Sequence, residues 1–229
     1  NSILQDRSGA IWIGTNGKGL IRYDRQAERF AHSREQSAKS SLWRGTSVRT
    51  LIEIDDETTL LSSAGGGFLQ VNRTTNEATV FKVSVNRVWR ELTPITMLLD
   101  RSGSLWVDYE RGVLKVDLKT KKTKHYGFVK DAPIETYGNN ALKIFEDRSG
   151  DVWVFTNAKI HRYDQETDSF TGNEYDTRLI PERPYDNYVE VHEDTQGIFW
   201  ITTTDGLVRF NPNNNDLKRY RNNPQDSSS

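Results

Sequence analysis

One heptad recurs along this chain and constrains its fold more than any other feature. It reads Asp-x-x-Gly-x-x-Trp, in Asp6–Trp12, Asp100–Trp106, Asp147–Trp153 and Asp194–Trp200. Trp106, Trp153 and Trp200 stand 47 residues apart, and Trp12 precedes Trp106 by 94, which is two periods. A fifth copy is therefore expected between Trp12 and Trp106. It is present in degraded form: Asp55–Leu60 has lost the glycine and the tryptophan, yet Gly65–Asn72 parallels Gly17–Asp24. A fixed period of this size means one supersecondary unit repeated, each unit burying its neighbour's apolar face.

The unit reads as four short strands. An alternating apolar run, such as Leu142, Ile144 and Phe145, precedes the Asp-x-x-Gly turn. In such a turn, aspartate bonds nearby backbone N–H groups and glycine tolerates positive φ. A strand carrying the Trp follows, then a strand such as Gly206–Asn211, then one ending in an aromatic: Phe30, Phe81, Tyr126, Phe170 or Tyr220. The period also suits a helical HEAT repeat, but the β-branched and aromatic alternation with glycine at the turns opposes helices. The expectation is an all-β β-propeller of four-stranded antiparallel blades. Five blades are expected, over about 1–36, 46–83, 94–130, 140–176 and 188–222. Propellers close with about four to eight blades. No exchange of strands between the chain ends is evident, so the five read as part of a larger ring. The motif itself reads as blade construction, the Trp filling the gap between neighbouring blades.

Composition narrows the function. With 31 Lys plus Arg against 32 Asp plus Glu among 229 residues, the formal charge is −1. Nucleic-acid surfaces carry a basic excess, so no nucleic-acid partner is expected. Mean hydropathy is −0.74, but 6 Trp, 9 Tyr and 9 Phe argue against disorder. The absence of cysteine excludes disulfides, thiolate zinc sites and Cys nucleophiles. No apolar run of about 18 residues is present, so no direct membrane contact is expected of this segment. The chain opens on strand-like sequence rather than a leader, and reads as a segment of a longer protein.

The string Ile3–Asp24 resembles the two-component regulator propeller repeat. The later copies drift, Gly14-Thr15 becoming Ser62-Ser63, Asp108-Tyr109, Phe155-Thr156 and Thr202-Thr203. The resemblance spans essentially the whole chain, including the segments Ser40–Leu42 and Asn223–Ser229 between blades. It implies the periplasmic sensor region of a hybrid histidine kinase, as in Bacteroidetes. Such parents carry two propellers, an immunoglobulin-like domain, a membrane span and a kinase, and respond to glycan fragments. The implied partners are an oligosaccharide ligand, further blades and domains of the same parent chain, and a second copy in a homodimer. No kinase motif is present, and no cofactor or metal is expected.

Candidate binding residues lie in the segments leading into each first strand, which in this reading converge on the propeller axis. They are Trp43 and Arg44, Trp89 and Arg90, Tyr137 and Asn139, and Tyr185 and Asn187. Successive aromatics are 46, 48 and 48 residues apart, so they occupy near-equivalent places in the repeat. An aromatic face stacks on the C–H face of a sugar, while a guanidinium or amide binds hydroxyls or a uronate. The competing reading is that these aromatics staple loops to the blades. The basic stretch Lys115, Lys119, Lys121, Lys122 and Lys124 reads as a solvated edge that discourages sheet-to-sheet pairing. His32, His125, His161 and His192 lack ligand spacing. A propeller enzyme, sialidase or lyase, would need an axial base, for which His192 is the sole candidate. A structural or dimerising propeller without a small ligand is the main alternative.

Overall fold

A computed structural model of the chain describes residues 2–25, 28–32, 47–64, 67–75, 77–86, 88–92, 94–109, 112–128, 141–156, 160–173, 190–203 and 206–221. Five four-stranded antiparallel sheets follow one another, each in sequential strand order, and form the blades of a β-propeller. Blade 1 comprises β1 (Ser2–Gln5), β2 (Ile11–Gly14), β3 (Leu20–Asp24) and β4 (Arg29–His32). Blade 2 comprises β5 (Ser47–Glu53), β6 (Thr58–Ala64), β7 (Gly67–Asn72) and β8 (Ala78–Val80). A two-stranded hairpin of β9 (Lys82–Val85) and β10 (Val88–Glu91) comes next. Blade 3 holds β11 (Met97–Leu99), β12 (Leu105–Tyr109), β13 (Gly112–Val116) and β14 (Thr123–Gly127). Blade 4 holds β15 (Ala141–Glu146), β16 (Val152–Thr156), β17 (Ile160–Asp164) and β18 (Ser169–Asn173). Blade 5 holds β19 (Glu190–Glu193), β20 (Phe199–Thr203), β21 (Gly206–Asn211) and β22 (Asp216–Tyr220). The chain divides into two compact units, Asn1–Val107 with Leu114–His125, and Asp108–Val113 with Tyr126–Ser229.

The heptad has a local job that its spacing only half disclosed. Asp6 Oδ1 accepts the backbone N–H groups of Ser8 and Ala10 at 2.9 and 3.0 Å, and the Ser8 hydroxyl at 2.6 Å. Gly9 completes the turn at φ 83°, where a Cβ would be strained. Asp6 Oδ2 accepts the Trp12 indole N–H at 2.8 Å. The same indole–carboxylate bond joins Trp106 to Asp100, Trp153 to Asp147 and Trp200 to Asp194, at 2.7–2.8 Å. The i, i+6 spacing thus lets one carboxylate close a turn and satisfy an indole, so the ring can be buried without an orphaned donor.

Trp12 and Trp153 each project from the rear face of their blade, toward the next blade in sequence. In the first unit, Trp12 and Leu20 of blade 1 pack with Val48, Leu51, Leu61, Leu69 and Val71 of blade 2. In the second unit, Trp153, Phe155 and Ile160 of blade 4 pack with Phe199, Ile201, Val208 and Phe210 of blade 5. Burying a side chain of this size is worth about 4–6 kcal/mol of transfer free energy. Close approach matters as much: a Cβ added at Gly14 would lie 2.7 Å from Val48 Cγ1. The fourth-strand aromatic holds in four blades. In blade 2, Phe81 lies one residue past β8 and donates its N–H to Phe68 O at 2.7 Å.

Candidate functional site

The expected site residues are unevenly described. Trp43, Arg44, Tyr137, Asn139, Tyr185 and Asn187 lie outside the described residues. Trp89 and Arg90 fall on β10, where their backbones pair with Ser84 and Val83 of β9. The segment between blades 2 and 3 is therefore a β-hairpin. Its β9 strand is tied to blade 3's β13–β14 turn: the Ser84 N–H donates to Lys121 O at 2.9 Å, and the Thr123 hydroxyl to Ser84 O at 2.8 Å. Val83 and Val85 of β9 are buried and seat the hairpin. This platform was hidden in the sequence, because the stretch between Val85 and Val88 lacks the glycine that usually marks a hairpin. Asn86 supplies the left-handed position, at φ 50°.

Part of the basic stretch is not a plain solvated edge. The Lys121 ammonium sits 4.2 Å over the Phe81 ring, and Lys115 lies 5.1 Å over Trp106. Burial pushes the Lys121 ammonium below its ordinary pKa, with the Asp117 and Asp55 charges opposing. Lys119, Lys122 and Lys124 are exposed as expected. His192 is exposed on β19. Among the described residues no group of three His, Asp or Glu side chains could hold a metal.

The concentrated polar chemistry lies between blades. At the blade 1–2 junction, Arg73 is buried, 7% exposed, with its guanidinium 3.6 Å from Asp6 Oδ2 and 2.8 Å from Glu53 Oε1. It also donates to Thr58 O, Thr59 Oγ1 and Asp55 O, at 3.1, 3.0 and 2.6 Å. Blade 2 is the copy without the tryptophan, and Leu60 occupies the Trp place. Arg73, one residue past β7, binds the preceding blade's Asp6. Burial alone would raise the Asp6 carboxyl, but bonds from Ser8, Trp12 and Ala10, with the Arg73 charge, hold it below the ordinary range. Sequence reading missed Arg73 because nothing in its spacing distinguishes it from Arg25, which holds the same repeat position.

A second latch repeats. The Arg7 N–H donates to Glu53 Oε1 at 3.3 Å, and the Arg148 N–H to Glu193 Oε2 at 2.7 Å. In both cases the residue after the motif Asp reaches the carboxylate ending the next blade's first strand. In the second unit, Asp168 Oδ1 accepts two phenols, Tyr126 at 2.5 Å and Tyr163 at 2.6 Å. Burial, then the Asp168 bond, pushes the Tyr126 hydroxyl well above its ordinary pKa. These groups are held by one another and read as structural clamps.

The model of the two component regulator propeller matches residues 1–17. No curated protein sequence matches the chain. Among solved structures, the extracellular domain of a proposed hybrid two-component system of Bacteroides thetaiotaomicron, BT4673, superposes with TM-score 0.70 at 21% identity over 96% of this chain. That of a second such system, BT3049, superposes with TM-score 0.71 at 16% identity over 96%. PorZ, a surface component of the type-IX secretion system of Porphyromonas gingivalis, gives 0.62 at 19% over 92%. The chain spans only 27%, 29% and 31% of those three chains. Residues 1–17 thus match the two component regulator propeller, and the chain as a whole has a propeller fold like that of the extracellular domains of two hybrid two-component systems.

Proposed function

We propose that this chain is an extracytoplasmic, periplasmic sensing propeller of a hybrid two-component regulator, that it binds a glycan fragment, and that a membrane histidine kinase elsewhere in its parent reads the result. The observation that carries this reading is the coincidence of the regulator-propeller repeat in residues 1–17 with a whole-chain fold likeness to two such extracellular domains. The role is binding rather than catalysis. The binding surface is assigned to the aromatic–polar pairs Trp43/Arg44, Trp89/Arg90, Tyr137/Asn139 and Tyr185/Asn187. Their chemistry suits a ligand that is apolar on its ring faces and hydroxylated at its edges.

Isothermal calorimetry of this chain against a library of glycan fragments tests the reading. Saturable binding is expected, lost in the Trp89→Ala, Arg90→Ala double variant while thermal stability is kept. Turnover of any sugar overturns it in favour of an enzyme, and no binding across the library favours a scaffold.

A further inference from the structure

The turn between β2 and β3 carries the chain's only Asn-Gly pair, Asn16-Gly17. An asparagine in this setting can react with its own backbone. The next residue's amide nitrogen lies one ring closure from the side-chain carbonyl carbon, so the reactants are already at high effective concentration. Glycine has no Cβ to hinder the approach. Folding blocks the reaction when it occupies that N–H or crowds the ring. Asn72 and Asn211 show such blocks. The Arg73 N–H that follows Asn72 donates to Glu57 O at 2.7 Å, and Asn211 is followed by Pro212, which has no N–H.

Neither block operates at Asn16. Asn16, Gly17 and Lys18 are all exposed, and a Cβ built at Gly17 would meet nothing within 4 Å. The Gly17 N–H makes no hydrogen bond to another described residue. The rest of the turn is held. Thr15 donates its N–H and its hydroxyl to Gly19 O at 3.0 and 2.7 Å, and accepts the Val48 N–H of blade 2 at 2.9 Å. Asn16 Oδ1 accepts the hydroxyl of Ser47, the first residue of β5, at 2.7 Å. That donor polarises the side-chain carbonyl and stands where the oxyanion of an attack on Cγ develops.

We propose that Asn16 is a self-modification site, converted in the folded chain to aspartate and isoaspartate through a succinimide closed by the Gly17 nitrogen, with the Ser47 hydroxyl as the donor that activates its carbonyl. The Gly17 nitrogen bonds to Asn16 Cγ, the Cγ–Nδ2 bond breaks, and Nδ2 leaves as ammonia with the proton the Gly17 nitrogen gave up. Water then opens the ring. Addition at Cγ gives aspartate, and addition at the main-chain carbonyl carbon gives isoaspartate. Solvent water is the only co-reactant. Either product places a new carboxylate beside Ser47 at the blade 1–2 junction. Isoaspartate also lengthens the backbone by a methylene, next to the Thr15–Val48 bond. The inference does not rest on the sensor reading, since it requires no glycan.

Ageing the folded chain in mildly alkaline buffer, followed by tryptic mapping with mass spectrometry, tests it. The informative peptide is Ser8–Lys18, because Asn16 is its only side-chain amide. It is expected to gain the mass of a deamidation, to take up a solvent oxygen in heavy-oxygen water, and to accept a methyl group from an isoaspartyl methyltransferase. Asn72 is expected to stay intact over the same time. Ser47→Ala, with unchanged circular dichroism, is expected to slow conversion about two- to tenfold, the rate equivalent of one net hydrogen bond. Asn16 left intact in the folded chain while the isolated Ser8–Lys18 peptide converts overturns the inference. So does conversion of Asn72 at the same rate. Equal or faster conversion in Ser47→Ala overturns the role given to its hydroxyl.

Discussion

The blade 1–2 and blade 4–5 junctions solve the same problem with different chemistry. At blade 4–5, a dense aromatic core closes the gap. Trp153 meets Phe199 edge to face at 5.2 Å, and Phe145 meets Phe199 at 5.4 Å. The polar groups stay at the rim, where Lys143 pairs with Glu190 at 2.6 Å. At blade 1–2, the core is aliphatic around a single Trp12, and a buried guanidinium bridges the blades. The guanidinium comes from blade 2, the copy that lost its tryptophan and its Asp-x-x-Gly glycine. Leu60 fills less space than an indole and offers no donor to Asp55. Asp55 Oδ1 takes the Glu57 and Thr58 N–H groups instead, and Arg73 occupies the polar ground beside it. Arg73 thus adds a bridge to a junction that keeps its own Trp12, and it bonds Asp6, Glu53 and backbone carbonyls rather than the Asp55 carboxylate.

The sharpest way to break the aromatic junction is Trp153→Ala. It should cost about 3–5 kcal/mol by removing a buried indole and leaving a cavity. Chemical denaturation followed by tryptophan fluorescence should show the loss. Arg73→Met should come next, at about 3 kcal/mol, because Asp6 and Glu53 would keep buried charges without their partner. Raising salt should not restore that loss, since the group is screened from solvent. Equal tolerance of Arg73→Met and of an exposed Arg→Met change would show that the bridge carries no weight.

The blade 1–2 junction should also respond to acid. The Asp6 carboxyl titrates lower in the folded chain than its ordinary 3.8. Its contribution is therefore complete above the unfolded value and is lost as pH falls through the folded one. Stability of the first unit should drop through that window, and Asp6→Asn should flatten the drop while lowering stability at neutral pH. Carboxyl titration by NMR checks the direction. The smallest effect belongs to the exposed Arg7–Asp56 pair, at 2.7 Å. Asp56→Ala should leave stability nearly unchanged, and what small loss there is should shrink further in salt.

Much of the fold was legible in the chain. Five copies of one period, a turn aspartate with glycine, and period-2 alternation admit few architectures, and the five four-stranded sheets follow them. The indole–carboxylate bond was legible in part, since the i, i+6 spacing was visible but its reason was not. Candidate ligand residues were legible only as residue types. Placing Trp89 on the hairpin tied to blade 3 required a turn that the sequence marks weakly.

Sequence by itself determined the repeat, because hydrophobic period and turn chemistry are local and each copy states them again. Tertiary structure alone decided which groups meet across blades. Arg73 finds Asp6 from 67 residues away in sequence, and Tyr126 shares Asp168 with Tyr163 across 42 residues. No spacing rule foretells such pairs, because they depend on the packing of one twisted sheet against the next. The same holds for exposure. Arg73 reads like any turn arginine, and only the packed molecule shows that it is buried.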